Sequence, residues 1–334
     1  LEVYEQMELV FDDLDLRMKK LTVFYRLKKY NNVIALSKEI LNEEPNFTQK
    51  TYTLYFQAKA YDKIGEFDKS EQSYLKLIQN EPTIENYRLV ARFYFSSSQY
   101  YKVIEICDLG LELDGIDKTS FDYIRINTWR ANAYDLTNQT NRAIDEYINL
   151  ISLDSVNAFS HIDDIAGLYI DLKNYEKAIE YFNKSIELKP DYFYAYLNKG
   201  FLFVEELNDY PKAIENFKKA AQISLENGDL DKTLESYTQI YTTYGLMGDF
   251  KNTLEFLNKC IDYRPNNIDF LFERASLYSN NDYKNEALID YLKLLRIDDG
   301  KSYGVNNNIG LIYENYIKDY DKAIEFYSNE IDLY

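Results

Sequence analysis

Histidine occurs once in 334 residues and cysteine twice, and those two shortages remove most catalytic layouts. Asp163 and Asp164 stand two and three positions beyond His161, but on one helix those offsets do not build the relay of a triad. No serine or cysteine is marked by its surroundings as a nucleophile, so His161 reads as a surface or packing residue. Cys107 and Cys260 are too far apart in sequence, and too far from His161, for zinc-ligand spacing. Each lies in an apolar helical pattern, which predicts buried free thiols and fits a reducing, cytoplasmic location. No glycine-rich phosphate cradle is present. The paired carboxylates of "FDD" (11–13) and "DD" (163–164) read as solvated faces or caps, and "RIDDG" (296–300) lacks the alternating ligands of a calcium loop. The chain is expected to be no enzyme and to carry no cofactor or metal.

Other absences narrow the class. No run approaches eighteen apolar residues, so no membrane span is expected. The opening "LEVYEQMELVFDDLDL" lacks the basic and apolar zones of a secretory signal. Asn-x-Ser/Thr triplets at Asn46, Asn138 and Asn183 read as chance in an Asn-rich chain. A net charge of −18, spread along the sequence, opposes binding to a nucleic acid backbone. Only five prolines and eleven glycines punctuate the chain, as suits many helices joined by short polar turns. At 16% aromatic content there is ample material for a core.

What is present is repetition. A small residue is followed three positions later by an aromatic at Ala58/Tyr61, Ala91/Tyr94, Ala131/Tyr134, Ala166/Tyr169, Gly200/Phe203, Ala275/Tyr278 and Gly310/Tyr313; Tyr241/Tyr244 keeps only the aromatic. Successive aromatics are 33, 40, 35, 34, 41, 34 and 35 residues apart. Thirteen residues beyond each lies a further packing residue, at Tyr74, Cys107, Tyr147, Phe182, Leu257 and Tyr291, and the distance becomes fourteen at Phe217 and Tyr327. Four residues before these stand Ser70, Val103, Ala143, Ala178, Ala213, Thr253, Ala287 and Ala323. Spacings of three and four put both members on one helical face, so each unit is two amphipathic helices whose slim residues let the backbones approach. Pro45, Pro82, Pro190 and Pro265 each follow a second helix, and Pro211 falls in the opening turn of one.

Helix pairs of about 34 residues, with a small residue then Tyr in the first and "Y-x-K-A-I-E" opening the second, resemble the tetratricopeptide repeat. The resemblance covers about residues 14–334. It implies an all-α, right-handed superhelical solenoid of antiparallel helix pairs in one domain, residues 1–334, with eight to nine units. Residues 1–13 are assigned as a capping helix, 14–47 as a degenerate unit marked by Leu21, Phe24, Val33 and Pro45, and 51–334 as eight units, the last incomplete. Extra residues at "GIDKTSF" (115–121) and "SLENGDLDK" (224–232) are expected to lengthen either helices or loops.

The resemblance also implies a concave groove lined by first helices, and hence a non-catalytic interaction scaffold that binds a peptide or helix of a partner protein. The stripe beside the small-aromatic pairs offers Tyr55, Lys59 and Lys63, then Arg88, Arg92 and Phe95, then Arg125 and Asn132, and further on Tyr194 and Phe201. Five cations against Asp62, Glu85 and Asp135 stand out in a chain with 56 acids and 38 bases. Two readings remain open: the cations hold an acidic peptide or a C-terminal carboxylate, or they pair with acids on adjoining helices. The chaperone-tail clamp of some family members is not matched, because Asp163 and Asp164 occupy the unit between Asn132 and Asn198. Leu197, Phe201 and Val204 either form a ligand patch or cover a neighbouring helix. The closing "DYDKAIEFYSNEIDLY" (319–334) repeats "NYEKAIEYFNKSIELK" (174–189) with no further first helix after it. That predicts self-association through the carboxy-terminal face. The alternative is that the chain forms the sensor or assembly part of a larger regulatory protein.

Overall fold

The computed structural model describes residues 14–297 and 304–332, so the expected capping helix at 1–13 and most of "RIDDG" lie outside the described residues. Every regular element among the described residues is helical. The chain divides into two compact units, Leu1–Leu172 and Lys173–Tyr334.

The first unit holds α1 (Leu14–Arg26), α2 (Tyr30–Asn42), α3 (Phe47–Lys63), α4 (Phe67–Asn80), α5 (Ile84–Ser96), α6 (Tyr100–Leu111), α7 (Phe121–Leu136), α8 (Thr140–Leu153) and α9 (Ala158–Asp171). Consecutive helices pack on one another, and the first helices α1 and α3, and α5 and α7, also lie side by side. Leu21, Phe24 and Val33 are buried in a core that the degenerate α1–α2 pair shares with Phe56, Ala60 and Tyr61 of α3.

The second unit holds α10 (Tyr175–Leu188), α11 (Phe193–Glu205), α12 (Tyr210–Glu226), α13 (Leu230–Leu246), α14 (Phe250–Tyr263), α15 (Ile268–Asn280), α16 (Lys284–Ile297), α17 (Val305–Ile312, continued by a π turn, Tyr313–Ile317) and α18 (Tyr320–Ile331). The two expected insertions resolve differently. The first lengthens the α6–α7 loop, closed by Asp117 accepting from the Thr119 amide at 2.8 Å. The second lengthens α12 and α13 to 17 residues each.

The small-aromatic rule has two physical causes. Ser70 Oγ donates to the Ala58 carbonyl at 2.9 Å, a contact that a bulkier residue at either position would prevent. The aromatic also closes the turn: its carbonyl accepts from the amide five residues on, Tyr61 from Glu66 at 3.0 Å, Tyr94 from Gln99 at 2.9 Å and Tyr134 from Gln139 at 2.8 Å. This is the longer bond of a left-handed helix terminus. Gly65, Ser98 and Asn138 supply its positive φ, at 79°, 57° and 58°.

The two fourteen-residue spacings belong to the two units with glycine at the small position. There the carbonyls of Phe203 and Tyr313 accept from Asp209 at 2.8 Å and Asp319 at 3.0 Å, six residues on, and the wider turn absorbs the extra residue. An added Cβ at Gly200 would strike the Phe217 ring, and one at Gly310 the Tyr327 ring.

Candidate partner-binding surface

Eight of the ten groove candidates lie in the first unit and two in the second. On α3, the Lys59 ammonium sits 4.5 Å over the Tyr25 ring and 4.9 Å over the Tyr55 ring, and donates to the Tyr55 hydroxyl at 3.2 Å. Tyr55 is half-buried and serves as the wall of this aromatic corner between α1 and α3. Lys63 is exposed, 3.8 Å from Asp62.

On α5 and α7 the candidates separate. Arg88 donates to Asp122, which lies one repeat later, and its guanidinium lies 5.6 Å from the Phe121 ring centre. Its Nε–H is thereby committed to the adjoining helix. Arg92 and Arg125 are exposed and make no ion pair among the described residues. Phe95 stacks on Trp129, also one repeat later, at 6.0 Å and 28°, and meets Tyr100 edge-on at 5.6 Å. Arg125 lies 5.9 Å from the Trp129 ring centre. Asn132 accepts a hydrogen bond from the Tyr147 hydroxyl and so faces its own second helix.

Thus on α5 and α7 the exposed Arg92 and Arg125 flank the half-buried Phe95, whose stacking partner Trp129 is itself buried in the core. Further along, the same unit turns acidic. Burial pushes the Asp135 carboxyl above its ordinary value, and repulsion from Asp171 and Asp164 adds to the rise.

In the second unit, Tyr194 is exposed beneath the Lys232 ammonium, 5.3 Å from its ring centre. Phe201 meets Phe217 edge-on at 5.4 Å, and Leu197, Phe201 and Val204 belong to the core there. Leu197 is buried there, while Phe201 and Val204 are partly buried.

Sequence reasoning missed Trp129 and Asp122, although each lies 34 residues after a residue it had singled out, Phe95 and Arg88. The repeat length itself was the signal. It also missed Arg130, which donates to Asp108 and Glu146, both at 2.7 Å, and ties α6, α7 and α8 together. Arg130 holds structure, with both neighbours already engaged.

His161 is buried, with Nε2 3.4 Å from Asp154 and its ring centre 6.0 Å from that of Tyr147. Both cysteines are buried free thiols. Burial raises the Cys107 thiol above its ordinary value and pushes the Cys260 thiol up to about 12, so neither supplies a thiolate near neutral pH. Among the described residues no group of three or more His, Cys, Asp or Glu could hold a metal ion. No helix among them is long and apolar enough to cross a membrane.

The profile of the tetratricopeptide repeat matches three stretches, residues 51–84, 164–192 and 268–300, so the chain carries tetratricopeptide repeats there. No curated protein matches it. Among solved structures, the C-terminal part of a TPR repeat-containing protein from Cytophaga hutchinsonii is similar at 14% identity and a TM-score of 0.55, over 76% of this chain and 97% of that one. A tetratricopeptide repeat protein from Parabacteroides merdae is similar at 17% identity and a TM-score of 0.48, over 79% and 98%. YrrB, described as a TPR protein with an unusual peptide-binding site, is similar at 22% identity and a TM-score of 0.42, over 56% and 91%.

Proposed function

We propose that the chain is a non-catalytic scaffold whose first helices α3, α5 and α7 hold a segment of a partner protein bearing acidic residues. The observation that carries this reading is the pair Arg92 and Arg125, exposed and without an ion pair among the described residues, on either side of half-buried Phe95, in a chain where acids outnumber bases 56 to 38. Spare guanidiniums in so acidic a protein offer forked donors to carboxylates from outside. The accessible part of Phe95 offers a place for an apolar side chain of the same segment. A partner with a free C-terminal carboxylate satisfies the same donors. The cytoplasmic location belongs to this proposal and rests on the buried free thiols.

Trp129 is the only tryptophan, so its fluorescence reports on the site. Titration with a library of Asp/Glu-bearing peptides is expected to shift that emission, and Asn/Gln counterparts are expected to leave it unchanged. Arg92→Glu and Arg125→Glu should each weaken binding about tenfold or more, the worth of a charge-assisted hydrogen bond. Equal response to neutral peptides, or unchanged affinity in the double variant with helicity intact, sinks the assignment.

A further inference from the structure

Helix α9 differs from the earlier first helices of its unit at three positions. Asp164, five residues before Tyr169, holds the place filled by Phe56, Leu89 and Trp129, all buried apolar residues. His161, eight before Tyr169, holds the place of Thr53, Asn86 and Ile126, and like them it is buried. Gly167, two before Tyr169, stands where the earlier helices carry Lys59, Arg92 and Asn132. An added Cβ there would meet nothing within 4 Å, so the absent side chain leaves open room on α9. Asp164 and Asp171, both exposed, lie three residues before Gly167 and four after it, on one helical face with it.

Acceptors line this room. The half-buried Asp135 carboxyl on α7 is raised by burial and then by repulsion from Asp171 and Asp164, which puts the three within electrostatic reach of one another. Among the described residues Asp135 and Asp171 make no ion pair, and Asp164 meets only the His161 ring. His161 is 6% exposed, and its Nδ1 faces Asp164 at 3.9 Å and takes part in no hydrogen bond. Its other nitrogen, Nε2, lies 3.4 Å from Asp154, a carboxylate that only accepts. The proton of the neutral ring is therefore assigned to Nε2, and Nδ1 is left as a buried acceptor lacking a donor. The neighbouring Tyr147 hydroxyl offers none, because it donates to Asn132.

We propose that the room over Gly167 receives an arginine side chain of the partner protein. A guanidinium carries five donors in one plane, enough to reach several carboxylates and Nδ1 together, and it is weakly hydrated. A bare metal ion does not fit, since no group of three or more His, Cys, Asp or Glu among the described residues could hold one. The occupant rests on the scaffold reading above and gives the partner segment a charge order: carboxylates beside Arg92 and Arg125, then an arginine toward α9. Phe95 and Asp135 mark that change of charge, since each stands one residue beyond the aromatic of its repeat, Tyr94 and Tyr134.

His161 is the only histidine, so its imidazole signals in an NMR spectrum need no further assignment and report on the site directly. Titration of the full chain with arginine-bearing peptides is expected to shift them. Citrulline counterparts, which keep the shape and lose the charge, should leave them in place. Asp164→Asn/Asp171→Asn should weaken the arginine peptides about tenfold or more, with helicity unchanged because both positions are exposed. Gly167→Phe, which fills the room, should weaken them as well. Trp129 emission with Asp/Glu peptides reads the Arg92 and Arg125 surface separately, so either reading can fail while the other stands. Equal shifts from citrulline and arginine peptides overturn the proposal. So does unchanged affinity in the double asparagine variant or in Gly167→Phe.

Discussion

Glycine in a helix normally costs about 1 kcal/mol relative to alanine, so its presence twice at the small position needs a reason. Phe217 and Tyr327 lie so close over Gly200 and Gly310 that a methyl group has no room. Gly167 on α9 is a control, because an added Cβ there meets nothing within 4 Å. Gly200→Ala is expected to destabilise by about 1–3 kcal/mol through overpacking. Gly167→Ala should stabilise by up to about 1 kcal/mol. Thermal or urea unfolding of the two variants checks the contrast, and a shift of the same sign in both would refute the packing account. At this scale the small-aromatic rule was legible from spacing alone. Which cations were free was not, because Arg88 and Arg92 differ only in whether an acid one repeat later reaches them.

At the scale of the helix, the phrase "D-Y-x-K-A-I-E" carries its own start signal. Asp209 and Asp319 each accept from the backbone amide three residues on, that of Lys212 or Lys322, both at 3.2 Å. The lysine ammonium returns to the capping carboxylate, at 2.7 Å in the first case and 3.5 Å in the second. Asp249 caps α14 in the same way, with the Asn252 side chain at 2.6 Å and the Asn252 amide at 3.1 Å. Those two bonds hold its carboxyl below the ordinary value. A lowered folded-state pKa means the cap stabilises above the ordinary carboxylate range and is lost as pH falls through the folded value. Asp249→Ala should therefore lower the Tm at neutral pH, and the gap from wild type should close on acidification. A gap that persists at acid pH would mean that the cap acts through something other than its charge.

Across the whole molecule, charge is what distinguishes one surface from another. With a net charge of −18, the chain repels acidic partners in general, and only a local cluster overcomes that field. Arg92 and Arg125 are exposed, so their attraction is screened over a Debye length of about 8 Å at physiological salt. Peptide binding beside Phe95 should thus weaken as sodium chloride is raised, and the Arg92→Glu/Arg125→Glu variant should lose that dependence with its affinity. Salt-independent binding by the wild type would assign the energy to Phe95 and not to the guanidiniums.

The sequence by itself determined the all-α class, the helix pairs, their turns and the positions of the core, because period, punctuation and repetition are local properties of the chain. It also located the stripe of candidate residues, since a face at 3.6 residues per turn follows from numbering. Only the tertiary structure decided which of them remain available. Arg88 went to Asp122, Asn132 to the Tyr147 hydroxyl and Phe201 against the core, while Arg92 and Arg125 stayed exposed and without an ion pair among the described residues. The physical reason is that availability depends on the register between helices about 34 residues apart.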